Sequence, residues 1–369
     1  MAVDYARFTH TKANLQSLAD SSAVAAASSL AVANTSGATA EAVAKSHVHQ
    51  SAVDAAWQKG SDGISVATNV DTTTSKVKIT LSQEWSPMLA HLISDIKTPV
   101  TVTSTATLVG SGKVCVIALD VSANGAIHMD NSALLTGDNC GVFSNSTHTN
   151  GLRVDKDASL TASKICSAGG SNVKKKGSVD PAVTEDCPAI ADPVAGRPAP
   201  DSKMCDHTNM VIDGSTKTIL NPGVYCGGLN IKDTAEVSFR EGTYVIKDGP
   251  LWLQGSASIS GDGVGFYLTG DNAVFDFEQG TAISFEAPKS GDMAGLLFYE
   301  NPANTPDVHR ISSAYAKNLL GTIYLPVSTL KIAAIANVGG DSAYTAFIVN
   351  KLNVYEGPNV TLNSNYDAT

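Results

Sequence analysis

Three aspartates stand at the same place in a recurring apolar pattern, each directly after an apolar-x-apolar stretch. They are Asp130, Asp155 and Asp213. If these stretches are strands stacked on one another, the carboxylates form an outward ladder that binds calcium or serves as acid and base on a sugar. The alternative is a solvent-exposed column that keeps the protein soluble. We favour this second interpretation, because no arginine or lysine accompanies the aspartates in the pattern that a lyase needs.

Other residue types that often do chemistry lack a catalytic spacing. His47 and His49 lie two residues apart on a predicted helix and therefore point to different sides, which makes a poor metal pair. The chain has no G-x-S-x-G motif, and His207 and His309 stand near aspartates no more often than chance gives. We therefore expect no metal, no cofactor and no enzymatic activity.

The six cysteines indicate disulfides. No C-x-x-C pair suggests zinc or redox chemistry, and an even number of cysteines is typical of an oxidising compartment. Fifteen pairings are possible, and we predict the sequential one because the intervals of 25, 26, 21, 18 and 21 residues are close to one structural repeat. The predicted pairs are Cys115 with Cys140, Cys166 with Cys187, and Cys205 with Cys226.

The repeat is visible as eight aligned apolar positions with a second apolar residue two places earlier. They are Met129, Val154, Ile212, Ile231, Leu253, Phe277, Leu325 and Val354. The residues that follow them form the outward column: Asp130, Asp155, Asp213, Lys232, Gln254, Glu278, Pro326 and Tyr355. Short strands with a period near two dozen residues, and without the consensus of leucine-rich repeats, predict a parallel β-helix.

The fold prediction is therefore mainly β: a right-handed parallel β-helix over residues 111–369. Residues 168–203 are predicted to be an inserted surface loop held by disulfides. Only 16% of the residues are charged and 6% are aromatic, which suits short strands and tight turns. The net charge of −10 makes nucleic acid an unfavourable partner, and the one basic run, Lys174 to Lys176, lies in a Gly/Ser-rich loop.

Residues 1–110 predict a small α+β module that precedes the β-helix. A long alanine-rich helix should cover residues 2 to about 33, and a second helix capped by Thr39 should run to about Lys59. Strands are expected at 63–70, 76–82 and 100–109, and a helix at 87–96. Because disulfides suggest export but no signal peptide is visible, we expect Met1 to be an added residue and an upstream membrane helix to have been removed.

Several segments resemble TadE/TadG-like proteins of the tight-adherence (Flp) pilus system. The first stretch carries Asp4-Tyr5, then Leu15-Gln16, then Asp20 at the start of an alanine-rich run. Later segments with the same likeness are CVIALD, CGVFSNS, the Pro-rich loop, NPGVYCGGLNI and NSNYDA. The resemblance covers nearly the whole chain and implies an envelope protein anchored in the bacterial inner membrane and facing the periplasm or cell surface. It brings no catalytic residues.

The sequence thus predicts a structural or assembly component of a pilus-like envelope apparatus. Its expected partners are other pilus-assembly or envelope proteins, the membrane through an N-terminal helix, and a surface glycan. The alternative is a secreted carbohydrate-active or carbohydrate-binding β-helix protein that uses the acidic ladder. A lyase groove would place several acidic and basic side chains within hydrogen-bonding reach on one face.

Overall fold

A computed structural model of the chain describes residues 2–32, 37–54, 63–71, 76–88, 97–107, 113–333 and 335–365. The chain divides into two compact units. The N-terminal unit comprises Met1–Ser111 together with Pro193–Pro198 and Ser290–Asp292, and the second unit comprises the rest. The module boundary near residue 110 thus coincides with the end of the first segment of the N-terminal unit.

Two helices and a three-stranded antiparallel sheet form the N-terminal unit. The elements are α1 (Ala2–Val32), α2 (Gly37–Asp54), β1 (Ile64–Asp71), β2 (Lys76–Trp85) and β3 (Thr98–Thr107), with strand order β1-β2-β3. The predicted helix at 87–96 falls mostly outside the described residues, as does the end predicted for the second helix near Lys59. The second helix begins at Gly37, so Thr39 lies inside it rather than at its cap.

Alanines let α1 pack closely against the sheet. Ala19, Ala23 and Ala26 are fully buried in the same cluster as Leu15 and the sheet residue Ile79. Alanine is the best helix former and its methyl group allows close packing, so one sequence feature favours both the helix and its contact. The apolar cluster thus joins the helices to a single face of the sheet.

The second unit is a parallel β-solenoid of about 11 turns within its described residues. Its strands are β4 (Val114–Ala118), β5 (Ile127–Met129), β6 (Leu134–Ser144), β7 (Leu152–Val154), β8 (Ser159–Ser167), β9 (Ser171–Val173), β10 (Ser178–Asp180), β11 (His207–Ile212), β12 (Lys217–Leu220), β13 (Gly223–Ile231), β14 (Glu236–Phe239), β15 (Gly242–Lys247), β16 (Leu251–Leu253), β17 (Ser258–Gly261), β18 (Val264–Thr269), β19 (Phe275–Phe277), β20 (Ala282–Glu286), β21 (Leu296–Glu300), β22 (Val308–Ile311), β23 (Tyr315–Ile332), β24 (Asn337–Val338), β25 (Thr345–Val354) and β26 (Asn359–Leu362). The prediction of a parallel solenoid is confirmed.

The apolar-x-apolar pattern points inward as predicted, but one of the eight aligned positions was assigned to the wrong row. Leu253 pairs in register with Phe277, and both side chains are fully buried in the continuous core. Leu325 is also fully buried, but it pairs with Val349 in a second row of inward residues, and the position equivalent to Phe277 is Ile311. The error arose because every strand of a rung carries the same alternation of inward apolar residues.

Aromatic rings fill the middle of the core. Phe266 lies 5.2 Å from Phe239, 4.9 Å from Phe285 and 5.2 Å from Phe298 between ring centroids. Ring pairs at these separations add stabilisation beyond their buried area. This part of the solenoid therefore has the bulkiest core, although the whole chain is poor in aromatics.

Rungs do not stack in the order of the sequence. Among the described strands, the rung with β11 pairs only with the rung after it, and from there the stack proceeds in chain order to β25 and β26. On its other side β25 pairs with β4 and β5, and β26 pairs with β6. The stack then continues through β6, β7 and β8 to β9 and β10. The first and last rungs of the chain are therefore neighbours inside the stack.

A crossing segment, residues 184–206, connects the two ends of the stack. At one end Thr184 bridges to Cys166, and at the other the Asp206 amide donates to the Val224 carbonyl. The prediction that residues 168–203 form one surface loop is therefore wrong. Their first part forms β9 and β10, which complete a rung on β7 and β8.

Polar contacts hold the crossing segment against the solenoid. Asn145 exchanges two hydrogen bonds with the backbone of Ile190, at 2.8 and 2.9 Å. The Tyr324 hydroxyl donates to Asp192 at 2.7 Å, and burial together with that carboxylate raises the pKa of Tyr324. These contacts fix part of the segment along the stack.

All three predicted disulfides are present. Cys115 is bonded to Cys140, Cys166 to Cys187, and Cys205 to Cys226, and the described residues contain no free cysteine. The last two bonds lie at the two ends of the crossing segment. They therefore tie that segment to opposite ends of the stack.

Replacing Cys205 with serine is expected to lower the free energy of unfolding by roughly 3 kcal/mol, because a cross-link between residues 21 apart no longer restricts the unfolded chain. Denaturant unfolding of the purified variant measures the loss. Met204→Ser is the control, because Met204 is the exposed neighbour and should change stability by less than about 0.5 kcal/mol. Equal stabilities of the two variants would contradict the prediction.

Candidate functional site: a polar column on the solenoid

The structure brings together two of the three predicted ladder aspartates. Asp130 and Asp155 follow the paired residues Met129 and Val154, so they lie on neighbouring rungs. Asp213 follows β11 in the rung at the far end of the stack, and the rungs formed by residues 223–362 separate it from Asp130. A three-carboxylate ladder is therefore not formed, because the alignment assumed that stacking follows sequence order.

Each of these aspartates has a cationic neighbour. Lys156 Nζ lies 2.9 Å from Asp130 Oδ2, and Arg153 Nη2 lies 2.9 Å from Asp155 Oδ2. Lys232 Nζ lies 3.9 Å from Asp213 Oδ2. The sequence analysis did not identify these ion-pair partners, because they come from the residues flanking the aspartate or from the next rung. Paired carboxylates are less available for a calcium ion.

A histidine links the two halves of the chain beside Asp155. The Tyr355 hydroxyl, on the last rung, lies 2.8 Å from His128 Nδ1 on the first rung, and the two rings meet edge to face. His128 Nε2 lies 3.6 Å from Asp155 Oδ2. With the phenol donating to Nδ1, the imidazole proton belongs on Nε2, facing the carboxylate. We call His128, Asp130, Arg153, Asp155 and Tyr355 the seam cluster.

Burial sets the charge states in the seam cluster. Burial and the neighbouring Arg153 cation lower the pKa of His128. Burial and the Asp130 carboxylate raise the pKa of Tyr355. Burial opposes ionisation of Asp130, but the hydrogen bonds from Lys156 and from the Asn131 amide outweigh it and lower the pKa of that carboxyl. At neutral pH a neutral imidazole therefore lies between a neutral phenol and an ion pair.

Acid should destabilise the solenoid through His128. Because its pKa is lowered in the folded state, the unfolded chain takes up a proton first, and stability falls as the pH drops below the unfolded value of about 6.5. His128→Gln should flatten this fall between pH 7 and the lowered pKa, as measured by thermal unfolding at a series of pH values. His207→Gln, a change at an exposed histidine on the end rung, should keep the wild-type slope. A His128→Gln profile parallel to wild type would refute the assignment.

Two residues of the seam cluster, His128 and Arg153, belong to a longer polar column that runs along one face of the stack. The column consists of the outward residue at the equivalent position of each rung, and consecutive members are Cα partners on neighbouring rungs. In stacking order its members are Val211, Asn230, Trp252, Asp276, Arg310, Lys331, Asn353, His128, Arg153 and Asn172. Nine of these ten side chains can form a hydrogen bond. The column crosses the junction between the first and last rungs without interruption.

Sequence reasoning missed this column by one residue. It took the residue after each apolar-x-apolar stretch, which lies where the strand ends, instead of the residue between the two apolar positions. In Ile127-His128-Met129, for example, the outer two side chains are fully buried and His128 faces outward. The apolar-x-apolar pattern identifies these outward residues. Their order along the column, however, follows only from the order in which the rungs stack.

A second cluster of ionisable groups is closed to solvent. Glu300 is 1% exposed, His309 is 0% exposed, and their side chains lie 3.4 Å apart. The hydroxyl of Ser328 and the amides of Val327 and Ser328 donate to the same carboxylate, and the Phe275 amide donates to His309 Nδ1. The Glu300 carboxylate thus accepts hydrogen bonds from residues 327 and 328. His309 therefore has a carboxylate partner that sequence reasoning did not identify.

Other candidates give no reactive constellation. His47 Nδ1 lies 3.2 Å from Ser22 Oγ, and His207 stacks on Tyr225 at 4.6 Å. Among the described residues, no group of three or more His, Cys, Asp or Glu side chains is arranged to hold a metal ion. None of the helices in the described ranges has a stretch apolar and long enough to span a membrane.

The chain is without detectable relatives in all three comparisons: no protein-family model, no curated protein and no solved structure matches it. The chain's own residues and the resemblance of its segments are therefore the only guides to its function. The solenoid shape by itself hosts many functions and selects none of them.

Proposed function

We propose that this chain is a non-enzymatic structural or assembly component of a tight-adherence (Flp-type) pilus or a related envelope apparatus. In this role the solenoid is a rigid binding surface, and the helical unit connects to the membrane or to pilin-like partners. The resemblance at Asp4-Tyr5, Leu15-Gln16 and Asp20 supports the choice of this pilus system. The three disulfides are the observation that carries the proposal.

The disulfides support a location outside the cytoplasm. Bonds such as Cys166–Cys187 persist in a periplasm or at a cell surface and are rare where thiols are kept reduced. Two of the three tie the crossing segment to the stack, so an oxidising environment stabilises the closed solenoid. A stable, protease-resistant rod is what an extracellular or periplasmic assembly requires.

The resemblance supports the assembly role of the helical unit, because it places such a helix next to a membrane segment. The buried alanines of α1, Ala19, Ala23 and Ala26, pack against the sheet of the same unit, so they do not by themselves support packing on a partner. The proposed partners are other pilus-assembly or envelope proteins, in an inner-membrane anchored arrangement that faces the periplasm or the cell surface.

A carbohydrate-active enzyme is the alternative, and the seam cluster is the place where its chemistry would occur. His128 is neutral and in hydrogen-bonding contact with Tyr355, which suits proton transfer. Against catalysis, Asp155 is engaged by Arg153 and Asp130 by Lys156. A lyase or hydrolase needs carboxylates that are free to reach the sugar.

Deleting the gene in its bacterium is expected to abolish pilus assembly or surface attachment, and a plasmid copy should restore it. A plasmid copy with Cys166 and Cys187 both changed to serine should restore assembly poorly, because the crossing segment is released at one end. His128→Ala is the matched enzyme control and should restore assembly like wild type. Normal piliation of the deletion strain, or breakdown of a polysaccharide by the purified chain that His128→Ala abolishes, would overturn the proposal.

A further inference from the structure

One member of the polar column is an exposed tryptophan with polar residues on both sides. Trp252 is 37% exposed and is paired across the rungs with Asn230 on one side and Asp276 on the other. Its flat indole is thus presented between an amide and a carboxylate. Exposed tryptophans in so polar a setting combine an apolar face with hydrogen-bonding neighbours.

The surroundings of Trp252 extend this arrangement to the next outward positions. Gln254 lies two residues later on the same rung, and its amide donates to Glu278 on the neighbouring rung at 3.3 Å. Arg310 lies 3.4 Å from Asp276 and continues the column. Planar amide, carboxylate and guanidinium groups therefore lie on the rungs next to the indole and along the column, and such groups can bind sugar hydroxyls.

Charge around the indole is balanced. Lys232 and Arg310 carry positive charge, and Asp276 and Glu278 carry negative charge. Burial raises the pKa of Asp276. Nucleic acid is a poor ligand for such a balanced patch on a chain of net charge −10, because phosphate binding needs an excess of cations. A protein partner would need an apolar centre of several residues, and the neighbours of Trp252 in the column are polar.

A pyranose ring fits this chemistry. It has an apolar C–H face that stacks on an indole and a rim of hydroxyls that bind amides and carboxylates. Column members repeat once per rung, about 4.8 Å apart, so a linear polymer laid along the stack meets a new hydrogen-bonding side chain at each step. The ligand class is therefore a linear glycan rather than a single sugar.

We propose that Trp252 is the stacking platform of a binding site for a neutral linear glycan that lies along the polar column. Asn230, Asp276 and Gln254 bind the hydroxyls of the sugar on the platform, and Arg310 and Lys331 meet the following units. The site goes beyond the envelope role and is independent of the pilus assignment, so the two can fail separately.

Calorimetric titration of the full chain with chitohexaose and cellohexaose, and with polygalacturonate as a charged comparison, tests the site. Wild type should bind at least one of them saturably, Trp252→Ala should weaken binding by about tenfold or more, and Trp252→Phe should retain most of it. Tyr315→Ala is the matched control, because Tyr315 is an aromatic residue 60% exposed on a different strand of the solenoid, and it should bind as wild type does. Circular dichroism establishes that all variants are folded.

Three outcomes would overturn the site. The first is no saturable binding of either hexasaccharide by wild type. The second is equal affinity of the Trp252→Ala and Tyr315→Ala variants. The third is binding only of charged polygalacturonate, with the same affinity in Trp252→Ala, which would indicate an ionic surface elsewhere.

Discussion

A chain that ends at residue 344 is expected to lose the folded solenoid as a whole rather than one terminal rung. The removed rung, β25 and β26, lies between the rungs of β23 and β24 on one side and β4 to β6 on the other. Its absence leaves two separate stacks with open apolar ends. In a solenoid stacked in chain order the same truncation would only shorten the stack.

The expected loss is roughly 10 kcal/mol or more, since six inward side chains of about 1.5–3 kcal/mol each leave the core. These are Phe347, Val349, Leu352, Val354, Val360 and Leu362, all fully buried. Such a loss is comparable to the whole stability of a typical domain. Circular dichroism and protease digestion would measure it.

A chain that ends at residue 365 is the matched control for the truncation, because it retains the complete rung. It should melt and resist protease as the full chain does. A chain ending at 344 that still melts cooperatively, with only a few degrees lost, would contradict the stacking order.

Glu300→Ala is expected to lower the free energy of unfolding by about 3–5 kcal/mol. The change removes the acceptor for the Ser328 hydroxyl and for two backbone amides, and it leaves His309 beside an empty space in a solvent-free corner. A buried donor that has lost its acceptor lowers the free energy of unfolding by its full desolvation penalty. Denaturant unfolding with both far-UV and intrinsic fluorescence signals would measure the change.

Two further variants separate burial from charge. Glu236→Ala removes an exposed carboxylate that pairs with Lys217 at 2.8 Å, and it should cost less than about 1 kcal/mol. Glu300→Gln keeps one acceptor oxygen, so its free energy of unfolding should lie between those of Glu300→Ala and Glu236→Ala. If Glu300→Ala and Glu236→Ala were equally stable, the corner network would have no structural role.

Local chemistry made much of the solenoid predictable. The inward alternation of Leu251 and Leu253 follows from their spacing, and the Cys205–Cys226 bond follows from intervals near one repeat. The turns also follow local rules: Asn131 and Asp157 adopt positive φ, a conformation that Asn and Asp tolerate well. Each of these features depends on neighbours in sequence or on one adjacent rung.

The stacking order could not be predicted in the same way. Every rung presents similar inward apolar residues. The apolar pattern of the sequence therefore does not determine which strand pairs with β25. The crossing segment has no regular periodicity and was interpreted, together with β9 and β10, as a loop. Its role depends on contacts such as Asn145 with Ile190, which join residues 45 apart in sequence.

The candidate site depends on that order and was therefore only partly predicted. Asp130 and Asp155 were correctly placed as neighbours, since their rungs follow one another in the chain. Asp213 was wrongly added, because its rung lies at the far end of the stack. The contact of Tyr355 with His128 joins residues 227 apart, and no local signal in the sequence identifies it.

The direct test of the stacking order is a disulfide engineered between the first and last rungs. Leu134 and Asn359 are exposed Cα partners on neighbouring parallel strands, a separation that a disulfide can span. Leu134→Cys with Asn359→Cys should yield that cross-linked peptide in non-reducing mass spectrometry, beside the three native bonds. Ser159→Cys with Asn359→Cys is the control, two rungs or about 9.6 Å apart, and should stay unlinked. An unlinked Leu134/Asn359 pair, or a linked control, would contradict the account.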